Sequence, residues 1–140
     1  MVDFPRVVID KTIPDLNEVF ENFKDPTAGG VVIFEGRPRN DNSIVALFYE
    51  AYLPMALKEL EKLRKEALEK FPVKEIFIFH RVGKIKVGET SFRVIVFAPH
   101  RREAFECCSW VVDRVKERVP IWKKEIYPSS EGDWILGSSN

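Results

Sequence analysis

Glu75-Ile76-Phe77-Ile78-Phe79-His80 and Phe92-Arg93-Val94-Ile95-Val96-Phe97-Ala98, followed by Pro99-His100-Arg101, carry the reading of the fold. The first run has an apolar centre, Ile76-Phe77-Ile78-Phe79, with the composition of a strand. In the second, Phe92, Val94, Val96 and Ala98 alternate with Arg93, Ile95 and Phe97, which predicts a strand with at least one well-buried face. Gly83 and Gly88 punctuate a turn region between them, so the two strands are expected to pair as antiparallel neighbours. After His100 the period changes. Ala104, Cys108, Val111, Val112, Val115 and Val119 form an apolar stripe at helical spacing, and Pro120 ends the helix because proline cannot continue the backbone hydrogen bonding.

Working outward, Val7-Val8-Ile9 reads as a short strand. Pro14 suits a helix's first turn, with Leu16, Val19, Phe20 and Phe23 on one face. The stretch Asp25-Pro26-Thr27-Ala28-Gly29-Gly30 breaks that helix. Val31-Val32-Ile33-Phe34 is β-branched and apolar and is expected to be a buried strand. A polar loop over residues 36–43 follows, rich in turn residues. Residues 44–49 alternate loosely as a further strand. Pro54 opens a helix in which Ala56, Leu60, Leu63 and Ala67 repeat on one face, while Lys58, Glu59, Lys62, Lys65, Glu66 and Glu69 charge the other. Ile121-Trp122 begins a last extended segment, and Trp134-Ile135-Leu136 forms a final short strand. This order predicts an α+β domain with a mixed, mainly antiparallel sheet packed by helices, not a doubly wound parallel sheet. Residues 1–140 are expected to form one domain.

Composition narrows the function classes. Hydrophobic residues make up 45 %, with 11 Phe and 3 Trp, enough for a core without disulfide or metal. Lys plus Arg and Asp plus Glu are both 22, so the net charge is zero, which argues against a general nucleic-acid binder. Cys107 and Cys108 are adjacent, there is no CxxC pair, and His80 and His100 are the only histidines, so no structural zinc site is expected. Cys108 falls in the helical core stripe with Cys107 beside it, and both read as small buried hydrophobes. No apolar signal core and no membrane-length run stand out, which makes a cytoplasmic setting the expectation. Nucleotide P-loop, GxGxxG, GxSxG and HExxH patterns are absent.

Cations instead gather beside structural breaks. Arg37 and Arg39 flank Pro38 in the loop after a strand, and paired guanidinium donors match phosphate oxygens; a solvated loop is the plainer alternative. His100-Arg101 stands where a strand ends and a helix begins, a point that favours anions and adds proton-transfer capacity. His80-Arg81 lies at the opposite end of the paired strands, and a structural role is expected for both. Lys116 sits at the edge of the last helix's apolar stripe. Lys123 and Lys124 follow Pro120-Ile121-Trp122, and in an extended stretch they must face opposite sides. A lysine is a cation unless burial lowers its pKa from about 10.4, so Lys116 and Lys123 are candidates for binding charge or for acid–base work, and equally for ordinary surface positions.

Taken in order, Gly29-Gly30-Val31-Val32-Ile33-Phe34-Glu35-Gly36-Arg37-Pro38-Arg39, Tyr49-Glu50-Ala51-Tyr52, His80-Arg81-Val82-Gly83, Gly88-Glu89, Ala98-Pro99-His100-Arg101, Ala104-Phe105 and Val119-Pro120-Ile121-Trp122-Lys123-Lys124-Glu125 resemble the large, catalytic subunit of molybdopterin synthase, the MoaE family. The resemblance runs from about Val7 to Trp134. It implies an α/β hammerhead-type fold and conversion of cyclic pyranopterin monophosphate to molybdopterin. It also implies that the two dithiolene sulfurs come from the C-terminal thiocarboxylate of a small ubiquitin-like sulfur-carrier (MoaD-like) subunit. The resemblance further implies a homodimer within a heterotetramer, with no metal or organic cofactor. Carried over, the substrate-binding positions are Arg37, Pro38, Arg39, His100, Arg101, Lys116, Lys123, Lys124 and Glu125, with Lys116 and Lys123 catalytic. Many members have a histidine and then a glycine near positions 41 and 43, where this chain has Asp41-Asn42-Ser43. Two further readings stand beside this one: a non-catalytic module that binds a phosphorylated small molecule, and a scaffold that docks a partner through Trp122, Tyr127 and Trp134.

Overall fold

A computed structural model describes residues 3–137. It contains β1 (Val7–Asp10), α1 (Leu16–Asn22), β2 (Gly30–Gly36), β3 (Ala46–Ala51), α2 (Leu53–Lys70), β4 (Glu75–Arg81), β5 (Gly83–Lys86), β6 (Phe92–Ala98), α3 (Arg101–Arg118), β7 (Ile121–Ile126) and β8 (Glu131–Leu136), with a 3-10 turn at Asp41–Ser43.

The strands divide into two four-stranded sheets, β1-β4-β6-β2 and β5-β3-β7-β8, where the sequence implied one. The expected pairing of β4 with β6 is present and antiparallel, with Ile78 opposite Val94 and His80 opposite Phe92. Among the described residues, only β1 with β4 is parallel. The turn region between them holds a strand the sequence reading missed: the chain leaves the first sheet at Arg81, pairs β5 with β3 in the second, and returns at Ser91. Gly83 and Gly88 have φ of +93° and +88°, backbone that glycine adopts at little cost, so they mark the two ends of that excursion.

Helix starts follow local chemistry. Asp15 caps α1 with a capping box to Glu18, which leaves Pro14 outside the helix and not in its first turn. Pro54 lies in the first turn of α2, where its missing N–H costs nothing. The apolar stripes of α2 and α3 bury Ala56, Leu60, Leu63, Ala104, Val111 and Val115 between the helices and the first sheet. A second cluster, Val19 with Phe77, Phe79, Ile95 and Phe97, fills the space under α1 on the sheet's other face.

β2 is not a buried strand. It is the edge of the first sheet, and Val31 and Ile33 are exposed. The cluster under α1 takes its strand residues from β1, β4 and β6 and none from β2, so that face of the edge strand is left uncovered. Cys107 and Cys108 are buried in α3, and burial pushes their thiols up to about 12 and about 11, as expected for small core hydrophobes. Among the described residues, no helix is long and apolar enough to cross a membrane.

Candidate functional site

The loop after β2 is held by its own backbone. Ser91 N–H donates to the Gly36 carbonyl at 2.9 Å and Gly88 N–H donates to Pro38 O at 3.2 Å. Pro38 is buried while Arg37 and Arg39 on either side are exposed. The proline therefore anchors the loop and both guanidinium groups face out. Arg37 pairs with Glu35 at 2.9 Å and Arg39 with Asp41 at 3.0 Å. Burial alone would raise the Glu35 carboxyl, but hydrogen bonds from Arg37, Arg93 and Thr90 outweigh it and hold the group below its ordinary value.

Asn42 and Ser43 both have positive φ, 56° and 65°. This is the left-handed region that favours glycine. The backbone here thus keeps a conformation that glycine adopts at little cost while carrying side chains.

Next to this loop, β7 runs antiparallel to β3, with Lys123 directly opposite Tyr49. Inward positions 121, 123 and 125 alternate with outward ones. Lys123 is 6 % exposed, an unusual burial for a lysine. Burial is the main reason its pKa is lowered; Glu125 opposes that, and the charges of Lys116 and Arg39 add to the lowering. Lys124 faces the other way, 2.8 Å from Glu131 and over the Trp134 ring at 4.6 Å. Arg37, Arg39, Asn42, Lys123 and Glu125 ring a cavity of about 190 Å³ whose apolar wall is Ile44, Leu47, Tyr49 and Ile135. Tyr127 O–H donates to Glu125 at 3.1 Å.

Within one chain, then, the fold brings Arg37, Pro38, Arg39, Lys123 and Glu125 to one cavity, with Lys116 near enough for its charge to weigh on Lys123. It does not bring His100 and Arg101 there. His100 caps α3 beyond Ala98, whereas the arginine loop follows Gly36, which pairs with Phe92 at the other end of β6. Six residue steps along the strand separate these ends by roughly 20 Å. Sequence reasoning gave no role to Tyr49 and only a structural one to His80, whose ring meets that of Tyr49 edge-on at 5.0 Å between centroids. The register between β3 and β7 is what places them, and no local pattern reports it. Arg81 is structural as expected, donating to Lys11 O and Thr90 O.

Residues 9–118 match the family model for MoaE protein. The chain belongs to the MoaE family. Among MoaE-type relatives, the molybdopterin synthase catalytic subunit of Pyrococcus abyssi is 46 % identical over 94 % of this chain and 92 % of its own length. The protein of that name from Rattus norvegicus is 38 % identical, covering 96 % and 70 %. In three dimensions the chain resembles the molybdopterin synthase of Staphylococcus aureus, with a TM-score of 0.83 and 33 % identity over 96 % of this chain and 98 % of that one. The MoaE protein of Burkholderia ambifaria aligns with a TM-score of 0.81 at 32 % identity over 98 % of this chain and 92 % of that one. The hammerhead-type architecture expected of a MoaE protein is thus the one observed.

Proposed function

We propose that this chain is the catalytic subunit of a molybdopterin synthase. It converts cyclic pyranopterin monophosphate to molybdopterin with sulfur from a carrier's C-terminal thiocarboxylate. The observation that carries the reading is a buried lysine, Lys123, at the floor of a cavity rimmed by two exposed arginines. Such a floor strengthens the field on a developing negative charge, because water is largely excluded.

Arg39 and Arg37 take the substrate's phosphate. The Arg39–Asp41 pair is more than half exposed on both sides and is worth about 0–1 kcal/mol, so exchanging Asp41 for phosphate is cheap. Releasing Arg37 leaves Glu35 still bonded to Arg93 and Thr90. Lys116 meets the carrier tail and Lys123 polarises the reacting carbon of the pterin. Each carrier in turn gives its sulfur and leaves as a carboxylate, with water supplying the oxygen. Glu125 sets the balance of charge beside Lys123; Lys124, on the outer face with Glu131 and Trp134, serves the strand.

The cavity, about 190 Å³, is smaller than the roughly 300–1,000 Å³ of a typical small-molecule site. One chain therefore supplies part of the site. The relatives' name, catalytic subunit, describes one part of an assembly, and a homodimer within a heterotetramer fits the surface. β2 is an open edge with Val31 and Ile33 exposed, and Ile33 lines one groove with the exposed Phe105; such edges are normally covered. Antiparallel pairing of two β2 edges about a two-fold axis sets the Gly30 end of one copy beside the Gly36 end of the other. His100 and Arg101 of one copy then approach the Arg37–Arg39 loop of its partner and complete the phosphate site. The buried, reduced Cys107 and Cys108 suit a cytoplasmic setting.

The test is reconstitution with purified thiocarboxylated carrier and cyclic pterin, reading the dithiolene product. Product from the unaltered chain and far slower formation by Lys116→Ala and Lys123→Ala supports the assignment. Pterin binding without turnover would instead favour a non-catalytic phosphate-binding module.

A further inference from the structure

The imidazole of His80, near enough to Lys123 to feel its charge, has half of its hydrogen bonding unaccounted for. His80 is fully buried. Its Nδ1 lies 2.7 Å from the Arg81 carbonyl oxygen. A carbonyl only accepts, so Nδ1 carries the proton and Nε2 is a bare acceptor. That Nε2 is buried and has no hydrogen-bond partner, a rare state for a polar atom in a folded protein. The ring cannot turn away. It stacks on Phe92 at 5.3 Å and meets the edge of Tyr49 at 5.0 Å. Nor does Tyr49 supply the missing donor: its hydroxyl lies 3.4 Å from Ser91 Oγ, which itself donates to Gly36 O at 3.1 Å.

Lys123 is the donor the register brings to this side. It stands directly opposite Tyr49, so both side chains leave the second sheet on one face, the face on which Tyr49 meets His80. Burial, with the Lys123 charge in addition and against the backbone bond to Arg81, holds the His80 pKa down at about 4. The ring is therefore neutral near pH 7. Toward an ammonium it acts only as an acceptor.

We infer that His80 is a positioning residue for Lys123: its Nε2 lone pair accepts one N–H of the lysine ammonium, directly after a small swing of the side chain or across one water. An ammonium has three N–H donors, so fixing one aims the others at the cavity. A neutral acceptor does this without cancelling the positive charge, which a carboxylate in the same place would do. The inference rests on the role proposed above for Lys123.

Nitrogen-15 spectra of the labelled chain test the contact without altering His80. The expected result is an Nδ1–H tautomer whose Nε2 resonance moves toward that of a free lone pair in Lys123→Met. An Nε2 resonance that Lys123→Met leaves in place overturns the inference, whatever the activities. Turnover with thiocarboxylated carrier gives a second arm. His80→Asn keeps a donor for Arg81 O but lacks the Nε2 acceptor. It is expected to lower kcat roughly tenfold or more, the order a hydrogen bond to a charged group supplies, with KM little changed. His80→Gln, which restores an acceptor near Nε2, recovers most of that loss. Equal losses in Asn and Gln variants of equal thermal stability overturn the inference. If both variants fail to fold, the spectra decide. Full activity of Lys123→Met would remove the proposed role of Lys123, while the spectra would still report whether the two residues touch.

Discussion

Tyr49 and Lys123 face each other across the β3–β7 ladder, and Lys124, one residue on, points to the opposite side of the sheet onto Trp134. That register separates two neighbouring lysines by environment. Lys123 is desolvated beside two arginines, whereas Lys124 is held by Glu131 and by aromatic faces. Lys123→Ala is expected to lower kcat by about a hundredfold or more, the scale of losing one preorganised electrostatic contact. Lys124→Ala is expected to leave turnover close to that of the unaltered chain. Steady-state assays of the two variants side by side check this.

The proposed division of the phosphate site between two copies makes a complementation prediction. Arg101→Ala and Lys123→Ala homodimers are each expected to be strongly impaired. Mixed after brief unfolding and refolding, they form hybrid dimers in which one site has both groups intact, so activity recovers. No gain of activity in the mixture, with hybrid dimers demonstrated by mass spectrometry, would place Arg101 outside the partner's site.

His80 sets a pH dependence of stability. Its folded pKa, about 4, lies below the ordinary 6.5, so the folded state favours the neutral ring. The unfolded chain binds the extra proton between these values. Stability is therefore full above about pH 6.5, falls as pH drops toward 4 and levels off below. The span corresponds to roughly 3 kcal/mol. Denaturant unfolding from pH 7 to pH 4 is expected to show this loss, and His80→Phe is expected to flatten it.

Ser43 keeps a left-handed backbone, φ +65°, that costs an L-residue about 1 kcal/mol. Ser43→Gly is expected to raise stability by roughly 0.5–1 kcal/mol, less the entropy that glycine adds to the unfolded chain. Thermal denaturation reads the shift. A lower melting temperature would show that the Ser43 side chain contributes more than the strain costs.

Much of the architecture was legible because it is local. The stripe from Ala104 to Val119 announced α3, Pro54 the start of α2, and the alternation from Phe92 to Ala98 the central strand. Other features were not. Gly83-Lys84-Ile85-Lys86 is four residues with one apolar side chain, too short for a period to show, and only pairing with β3 makes it a strand. Val31-Val32-Ile33-Phe34 has the composition of a buried strand, but its exposure depends on where α1 stops covering the sheet. Composition records what a residue prefers, not which neighbour reaches it.

The site divides along the same line. Chemical type was readable in one dimension: arginines around Pro38, a histidine and arginine at a helix start, lysines on either side of a proline-ended helix, and the opposite facing of Lys123 and Lys124. Which of these share a cavity was decided by long-range register. β3 against β7 turns Lys123 inward beside Tyr49, and the length of β6 keeps His100 and Arg101 away from the same chain's arginine loop. Strand alternation follows from the covalent chain alone, whereas register is chosen by the fit of distant side chains in a core that exists only once the whole domain has packed.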